Sequence, residues 1–256
     1  GLLRLHFFQG GKTMKKAMLI LNPKAGRMHL KGKIFDIIDV LSAEYQVTVC
    51  PTKYRGHAVE LASLAAKEDY DLVVCAGGDG TLNETVTGLM EMGATIPLGY
   101  IPAGSTNDFA AGLNLSKNPV QAAEDIVKGQ LHDQDIGFFN QNRRFTYIAS
   151  FGAFTEVSYT TDQTLKNYLG HLAYVLEGAK SLSKLKPVSM KLKCDDKEVD
   201  GEWLFGAVTN ATTVGGVLRL RDEYLNFHDG FFEILLIRNP KNLAELNKII
   251  TNLARY

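Results

Sequence analysis

The run Val73-Val74-Cys75-Ala76-Gly77-Gly78-Asp79-Gly80-Thr81-Leu82-Asn83-Glu84 constrains the fold more than any other stretch. An apolar strand ends in a glycine turn that holds a carboxylate and then opens a helix. α/β proteins bind nucleotides at such a junction, because the turn's N–H groups and the helix N-terminus face the same anion. The three glycines let a ligand approach the backbone closely. Asp79 sits among them and would repel a bare phosphate, so a Mg²⁺ ion or a shared proton is expected there.

Around that turn, short apolar runs alternate with helical spacing, which predicts βαβ units on a parallel sheet. Ala17–Leu21, Val47–Cys50, Leu72–Ala76 and Leu98–Ile101 read as its strands. Ile34, Ile37, Ile38 and Leu41, then Val59, Leu61, Ala62 and Ala65, each mark one apolar helix face. After His132 the segments become β-rich: Phe145–Ser150, Val188–Leu192, Trp203–Thr209 and Phe231–Ile237. The expected architecture is an α/β domain over 14–130 followed by a largely antiparallel β-rich domain over 131–256. A helix over Tyr168–Leu182 is more apolar than a surface helix requires and suits either core or an apolar ligand site. Residues 1–13 resemble the remnant of a cleaved expression tag, with Met14 as the natural start.

The charge balance removes several classes of function. Lys plus Arg and Asp plus Glu both number 28, so no basic excess argues for nucleic acid. Cys50, Cys75 and Cys194 are odd in number and far apart, as expected of reduced thiols in a cytoplasmic protein. No apolar run reaches the roughly 18 residues of a membrane span, and no signal peptide precedes the first strand. The histidines lack zinc spacing, and no Gly-x-Ser-x-Gly elbow occurs.

Three loops follow parallel strands and should open at one carboxyl edge: Asn22-Pro23-Lys24-Ala25-Gly26-Arg27, Gly77–Thr81, and Pro102–Asp108. Each alone also reads as ordinary turn chemistry, since Thr81-x-x-Glu84 has the form of a capping box and Ser105-x-x-Asp108 resembles one. Together they bring hydroxyls, backbone donors, Lys24, Arg27 and Asp79 to one crevice. A Walker loop needs Gly-Lys-Ser/Thr, which is missing after Gly80. A dinucleotide fingerprint needs glycine where Asn83 stands.

Gly77-Gly78-Asp79-Gly80-Thr81-Leu82-Asn83-Glu84, with Asn22-Pro23-x-Ala25-Gly26 before it and Pro102-x-Gly104-Ser105-x-Asn107-Asp108-Phe109 after it, resembles the diacylglycerol kinase catalytic family, and its bacterial soluble lipid kinases most of all. The likeness extends through Asp135-Ile136-Gly137 and His228-Asp229-Gly230-Phe231. It implies ATP-dependent phosphorylation of a lipid hydroxyl, and a lipid acceptor requires that the protein, read above as cytoplasmic and without a nucleic-acid partner, touch the membrane transiently. A homodimer is left open. It assigns nucleotide contacts to Asn22, Pro23, Ala25, Gly26, Thr52, Gly78, Asp79, Gly80, Thr81, Leu82, Asn83, Glu84 and Ser105. Asp79 would be the catalytic residue that organises Mg²⁺. A structural Mg²⁺ would be held by Asp229 and by main-chain oxygens of Asn226 and Phe231, with Asp135 reaching it through water. A hairpin turn is the plain alternative for Asp229-Gly230.

The family's proposed general base lies in an Asp-Gly-Glu motif on a late strand, and this sequence contains none. It stops at Tyr256 in what reads as the preceding helix. Because a sandwich without its last strands would leave an unpaired apolar edge, the expectation is a shortened chain. Two rivals stand beside the lipid kinase. NAD kinases share Gly-Gly-Asp-Gly but phosphorylate a soluble acceptor, and a nucleotide sensor without turnover would suit the missing base. Lys180, Lys184, Lys186 and Lys191 form the candidate patch for anionic lipid, or simply a solvated face.

Overall fold

A computed structural model describes residues 14–25, 30–140, 143–152, 186–211, 213–214, 218–219 and 228–253. The apolar Tyr168–Leu182 segment, Lys180 and Lys184 lie outside the described residues, as do 1–13, Gly26 and Asn226. Two compact units emerge: one takes the described residues up to Ala103 together with Ser116–Leu131, and the other takes Gly104–Leu115 and the described residues from His132 onward.

The first unit is built on a parallel sheet in the order β2-β1-β3-β4, from strands β1 (Lys15–Leu21), β2 (Tyr45–Pro51), β3 (Leu72–Gly77) and β4 (Leu98–Pro102). Helices α1 (Ile34–Ser42), α2 (His57–Lys67) and α3 (Asp79–Glu91) connect them. Side chains alternate across a strand, so β1 feeds two cores. Ala17, Leu19 and Leu21 pack with Ile37 and Leu41 of α1 and with Ala122 and Ala123 of α5 (Pro119–Lys128). Met18 and Ile20 face the other way, onto Ala58, Ala62 and Ala65 of α2 and Leu89 of α3. β3 is buried along its whole length, as its unbroken apolar run requires in a sheet covered on both faces. Its Cys75 thiol is pushed up to about 12, chiefly by burial, and stays protonated and inert. α5 starts cleanly because Asn118 accepts the Val120 and Gln121 N–H groups and Pro119 occupies the first turn.

α2 and α3 meet at a position where no side chain fits. A methyl group at Gly88 would run into the Val59 carbonyl oxygen and come within 2.9 Å of the Ala62 Cβ. Ser63 Oγ also donates to the Gly88 carbonyl at 3.3 Å. Gly88→Ala should lower unfolding stability by about 2 kcal/mol, the overpacking cost outweighing alanine's gain in helix propensity. Chemical denaturation reads this, and an unchanged midpoint would show that the helices can separate freely.

In the second unit β9 (Lys197–Thr209) is the organising strand. Its first half pairs antiparallel with β8 (Val188–Cys194), and its second half lies between β7 (Ile148–Gly152) and β10 (Glu233–Arg238). Leu204, Phe205, Ala207 and Ile237 form its core with Ile148, Leu235 and Ile249. The last of these belongs to α6 (Leu243–Leu253), where Asn242 Oδ1 accepts the Glu245 N–H at 2.9 Å. A short ribbon of β5 (Gly137–Phe139) and β6 (Arg143–Phe145) stands apart from this sheet. α4 (Asp108–Gly112) also falls in this unit.

The α/β and antiparallel halves match the expected fold class, while strand limits in the second half differ. The run expected over Phe145–Ser150 splits into β6 and β7. The Tyr147 carbonyl accepts both the Asn210 N–H at 2.9 Å and the Thr209 hydroxyl at 2.7 Å, which bends the chain there. β9 reaches back to Lys197 because Asp195, at φ +50°, makes a tight turn with Asp196. In that hairpin Lys191 is ion-paired with Glu198. Among the described residues no helix is long and apolar enough to cross a membrane.

Candidate nucleotide site

The parallel strands finish level with one another: Leu21 is in register with Pro51 and Ala76, and Gly77 with Pro102. Loops leaving β1, β2 and β3 therefore start from one edge. α3 begins at Asp79, with Gly78 as its cap and no side-chain capping bond. Thr81 and Glu84 thus stand inside the helix and form no capping box, which corrects that alternative. Likewise α4 starts at Asp108 rather than after Ser105, with Asn107 at φ +52° before it. Asn107 folds back on Gly104, accepting its N–H at 2.7 Å and donating to its carbonyl at 2.8 Å.

With their capping duty gone, Thr81 and Glu84 have other partners. Asn22 Nδ2 donates to Thr81 Oγ1 at 3.0 Å, and Asn22 Oδ1 accepts the Lys24 N–H at 3.0 Å. One asparagine thereby ties the turn after β1 to the first turn of α3. Glu84 Oε1 accepts the Gly56 N–H at 2.9 Å in the loop between β2 and α2. Thr52 in that loop donates its N–H to the Leu21 carbonyl at 2.8 Å. The first intrahelical bond of α3 runs from Leu82 N–H to the Gly78 carbonyl at 3.0 Å. The amides of Gly80 and Thr81 come before it, outside the helix's own ladder, where an anion is favoured.

Two residues absent from the expected contacts matter to this arrangement. Gly77 has no room for a side chain, since a Cβ there would sit 2.7 Å from the Thr81 Cβ. Its carbonyl is also held, by the Ala103 N–H at 2.7 Å and the Tyr100 hydroxyl at 3.2 Å. Gly56 adopts φ +89°, a conformation that favours glycine. Gly77 lies in the glycine turn, whereas Gly56 stands alone between Arg55 and His57, and the hydrogen-bond partners of both, Ala103, Tyr100 and Glu84, lie far away in the chain.

Of the remaining expected residues, Pro23 and Lys24 are exposed, Ala25 half-buried and Leu82 buried in α3. Gly78, Asp79 and Asn83 are half-buried, and Gly80 is exposed. Ser105 is exposed and belongs to the second unit. So do Asp135, Asp229 and Phe231. There Asp135 Oδ2 accepts the Gly230 N–H at 2.7 Å, and Asp229 Oδ1 accepts the Phe231 N–H at 3.0 Å, with Gly230 at φ +78°. Burial pushes the nearby Glu233 carboxyl up, and the Asp229 charge adds to this against an opposing backbone hydrogen bond. Among the described residues Glu233 Oε2 is buried without a hydrogen-bond partner. No cluster of three His, Cys, Asp or Glu side chains suited to a metal occurs among the described residues. Asp135 and Asp229 bring two carboxylates to this turn, the donor type that a hard cation takes.

The sequence profile of the diacylglycerol kinase catalytic domain matches residues 16–139. The chain is 36% identical to a diacylglycerol kinase of Bacillus subtilis over 241 residues, covering 93% of this chain and 78% of that protein. It is 35% identical to a Staphylococcus epidermidis diacylglycerol kinase over 242 residues, covering 94% and 76%. The fold is similar to a crystal structure of a diacylglycerol kinase from Bacillus anthracis, with a TM-score of 0.70, 26% identity and coverage of 94% and 79%. By these likenesses the chain is a kinase. It belongs to the diacylglycerol kinase family.

Proposed function

We propose that this protein transfers the γ-phosphoryl group of ATP, with Mg²⁺, to the hydroxyl of a lipid of the diacylglycerol type. The observation that carries the reading is the Asn22–Thr81 bridge, which locks the turn after β1 onto the N-terminus of α3 beside Asp79. In this reading the α/β unit takes the nucleotide and the β-rich unit takes the lipid.

Phosphoryl transfer asks a protein mainly for position and charge compensation. The amides of Gly80 and Thr81, together with the turn Asn22–Ala25, hold the phosphate oxygens. Lys24 adds a cation at that turn. The Asp79 carboxylate would hold Mg²⁺, which supplies neutralisation of the developing charge when bound. Thr81 and Asn22 fix the register of the phosphates relative to the sheet. In the second unit Asp229, with Phe231 and Asn226 oxygens, would hold the structural ion, and Asp135 keeps the Gly230 turn in shape. Asp135 is already engaged with Gly230 N–H, which supports its place in that network.

A panel of labelled-phosphate transfers from MgATP to diacylglycerol, a sphingoid base and NAD tests the reading. Transfer to diacylglycerol above the other two is expected. Transfer to NAD alone would replace it with the soluble-acceptor reading, and nucleotide binding without any transfer would favour a sensor.

A further inference from the structure

The geometry points to Glu84 as a positioning residue, one that clamps the loop between β2 and α2 through the Gly56 N–H. The inference rests on the nucleotide reading above and specifies how that site is assembled. Glu84 and Thr81 stand three residues apart on α3, hence on one helix face. Each reaches a different strand-end loop: Thr81 takes Asn22 after β1, and Glu84 takes Gly56 after β2. In the sheet order β2-β1-β3, one helix turn after β3 thus fastens both neighbouring loops.

The loop from Thr52 to Gly56 has its own internal ties. His57 Nδ1 accepts the Lys53 N–H at 3.1 Å, and the His57 ring stacks on Tyr54 with centroids 4.7 Å apart. Tyr54 Oη in turn bonds Glu60 at 2.7 Å. These contacts shape the loop within itself and onto its own helix α2. Two bonds fix it against the phosphate side: Thr52 N–H to the Leu21 carbonyl, and Gly56 N–H to Glu84. Gly56 adopts its positive φ with open space at the Cβ position, so its backbone conformation, not crowding, keeps the N–H turned toward α3. One side-chain oxygen of Glu84 is spent on that amide. The loop then holds Thr52 ready before any ligand arrives, which lowers the ordering cost of binding.

Glutamine retains a carbonyl oxygen at the Oε1 position, whereas alanine does not. Amide hydrogen exchange of the nucleotide-free full chain should show Gly56 protected in the wild type and in Glu84→Gln, and exposed in Glu84→Ala. The Lys53 amide, held by His57, should exchange alike in all three. Glu84→Ala should raise KM for MgATP about tenfold with kcat within about twofold, while Glu84→Gln stays near the wild-type KM. A Gln variant as impaired as the Ala variant would show that the charge acts directly, and would overturn the clamp. So would a Gly56 amide still protected in Glu84→Ala. Should the Ala variant not fold, the Gln variant alone decides: retained protection and KM support the clamp, and their loss overturns it. A wild type that fails to bind MgADP would count against the nucleotide reading, while the exchange pattern still judges the clamp.

Discussion

Asp79→Asn should leave a folded protein whose turnover with MgATP and diacylglycerol falls by about 10²- to 10³-fold, the range for removing one preorganised electrostatic contact. Asparagine has nearly the size of aspartate and is tolerated in the first turn of a helix, so α3 still forms. What disappears is the charge at the turn between β3 and α3. Phosphoryl transfer develops charge on the equatorial and leaving oxygens, and a carboxylate that holds the cation there acts on the transition state more than on the bound substrate. The loss should therefore appear in kcat at saturating MgATP, with a melting temperature close to wild type. Turnover within tenfold of the wild type would take Asp79 out of the mechanism.

Gly77→Ala should weaken MgADP binding more than tenfold and cost about 1–3 kcal/mol in stability. The new methyl group would lie 2.7 Å from the Thr81 Cβ and 2.8 Å from its Oγ1. The strand cannot retreat, because the Gly77 carbonyl is gripped by Ala103 and Tyr100 and Gly77 is in register with Pro102 of β4. Thr81 must move instead, and the bond to Asn22 stretches with it. The turn after β1 then loses its tie to α3 just where the phosphates would sit. Calorimetric titration with MgADP measures the effect. Affinity within threefold of the wild type would show that the Asn22–Thr81 bridge does not organise the site.

Much of this could be read in the sequence, for reasons that differ by region. The parallel sheet was legible because β1 and β3 are apolar runs that burial on both faces demands, and because Ile37 with Leu41 and Ala62 with Ala65 recur at helical spacing. The glycine turn at β3 was legible because Gly77, Gly78 and Gly80 stand between the end of an apolar run and the start of a helix. Limits in the second unit were not, since distant bonds set them: the break at Tyr147 depends on Thr209, 62 residues later. The same holds for the site's wiring. Thr81 and Glu84 looked like a local capping box, yet their partners are 59 and 28 residues away, and spacing within one helix carries no trace of either. The late Phe231–Ile237 run began two residues beyond its expected start, because Asp229 takes the Phe231 N–H for a turn.

β3 is hydrogen-bonded on both sides, to β1 and to β4, and hidden from water along its length. Amides of such a strand are released only when the whole unit opens, whereas loops and termini fray at little cost. The glycines that would meet the phosphates hang directly from its end. A brief local breathing of the surface loops could loosen a ligand's grip at the margins, but the central anchor would persist until the entire unit came apart. Ligand occupancy and global unfolding would then be two readings of one equilibrium, with bound nucleotide raising the melting temperature in step with its concentration.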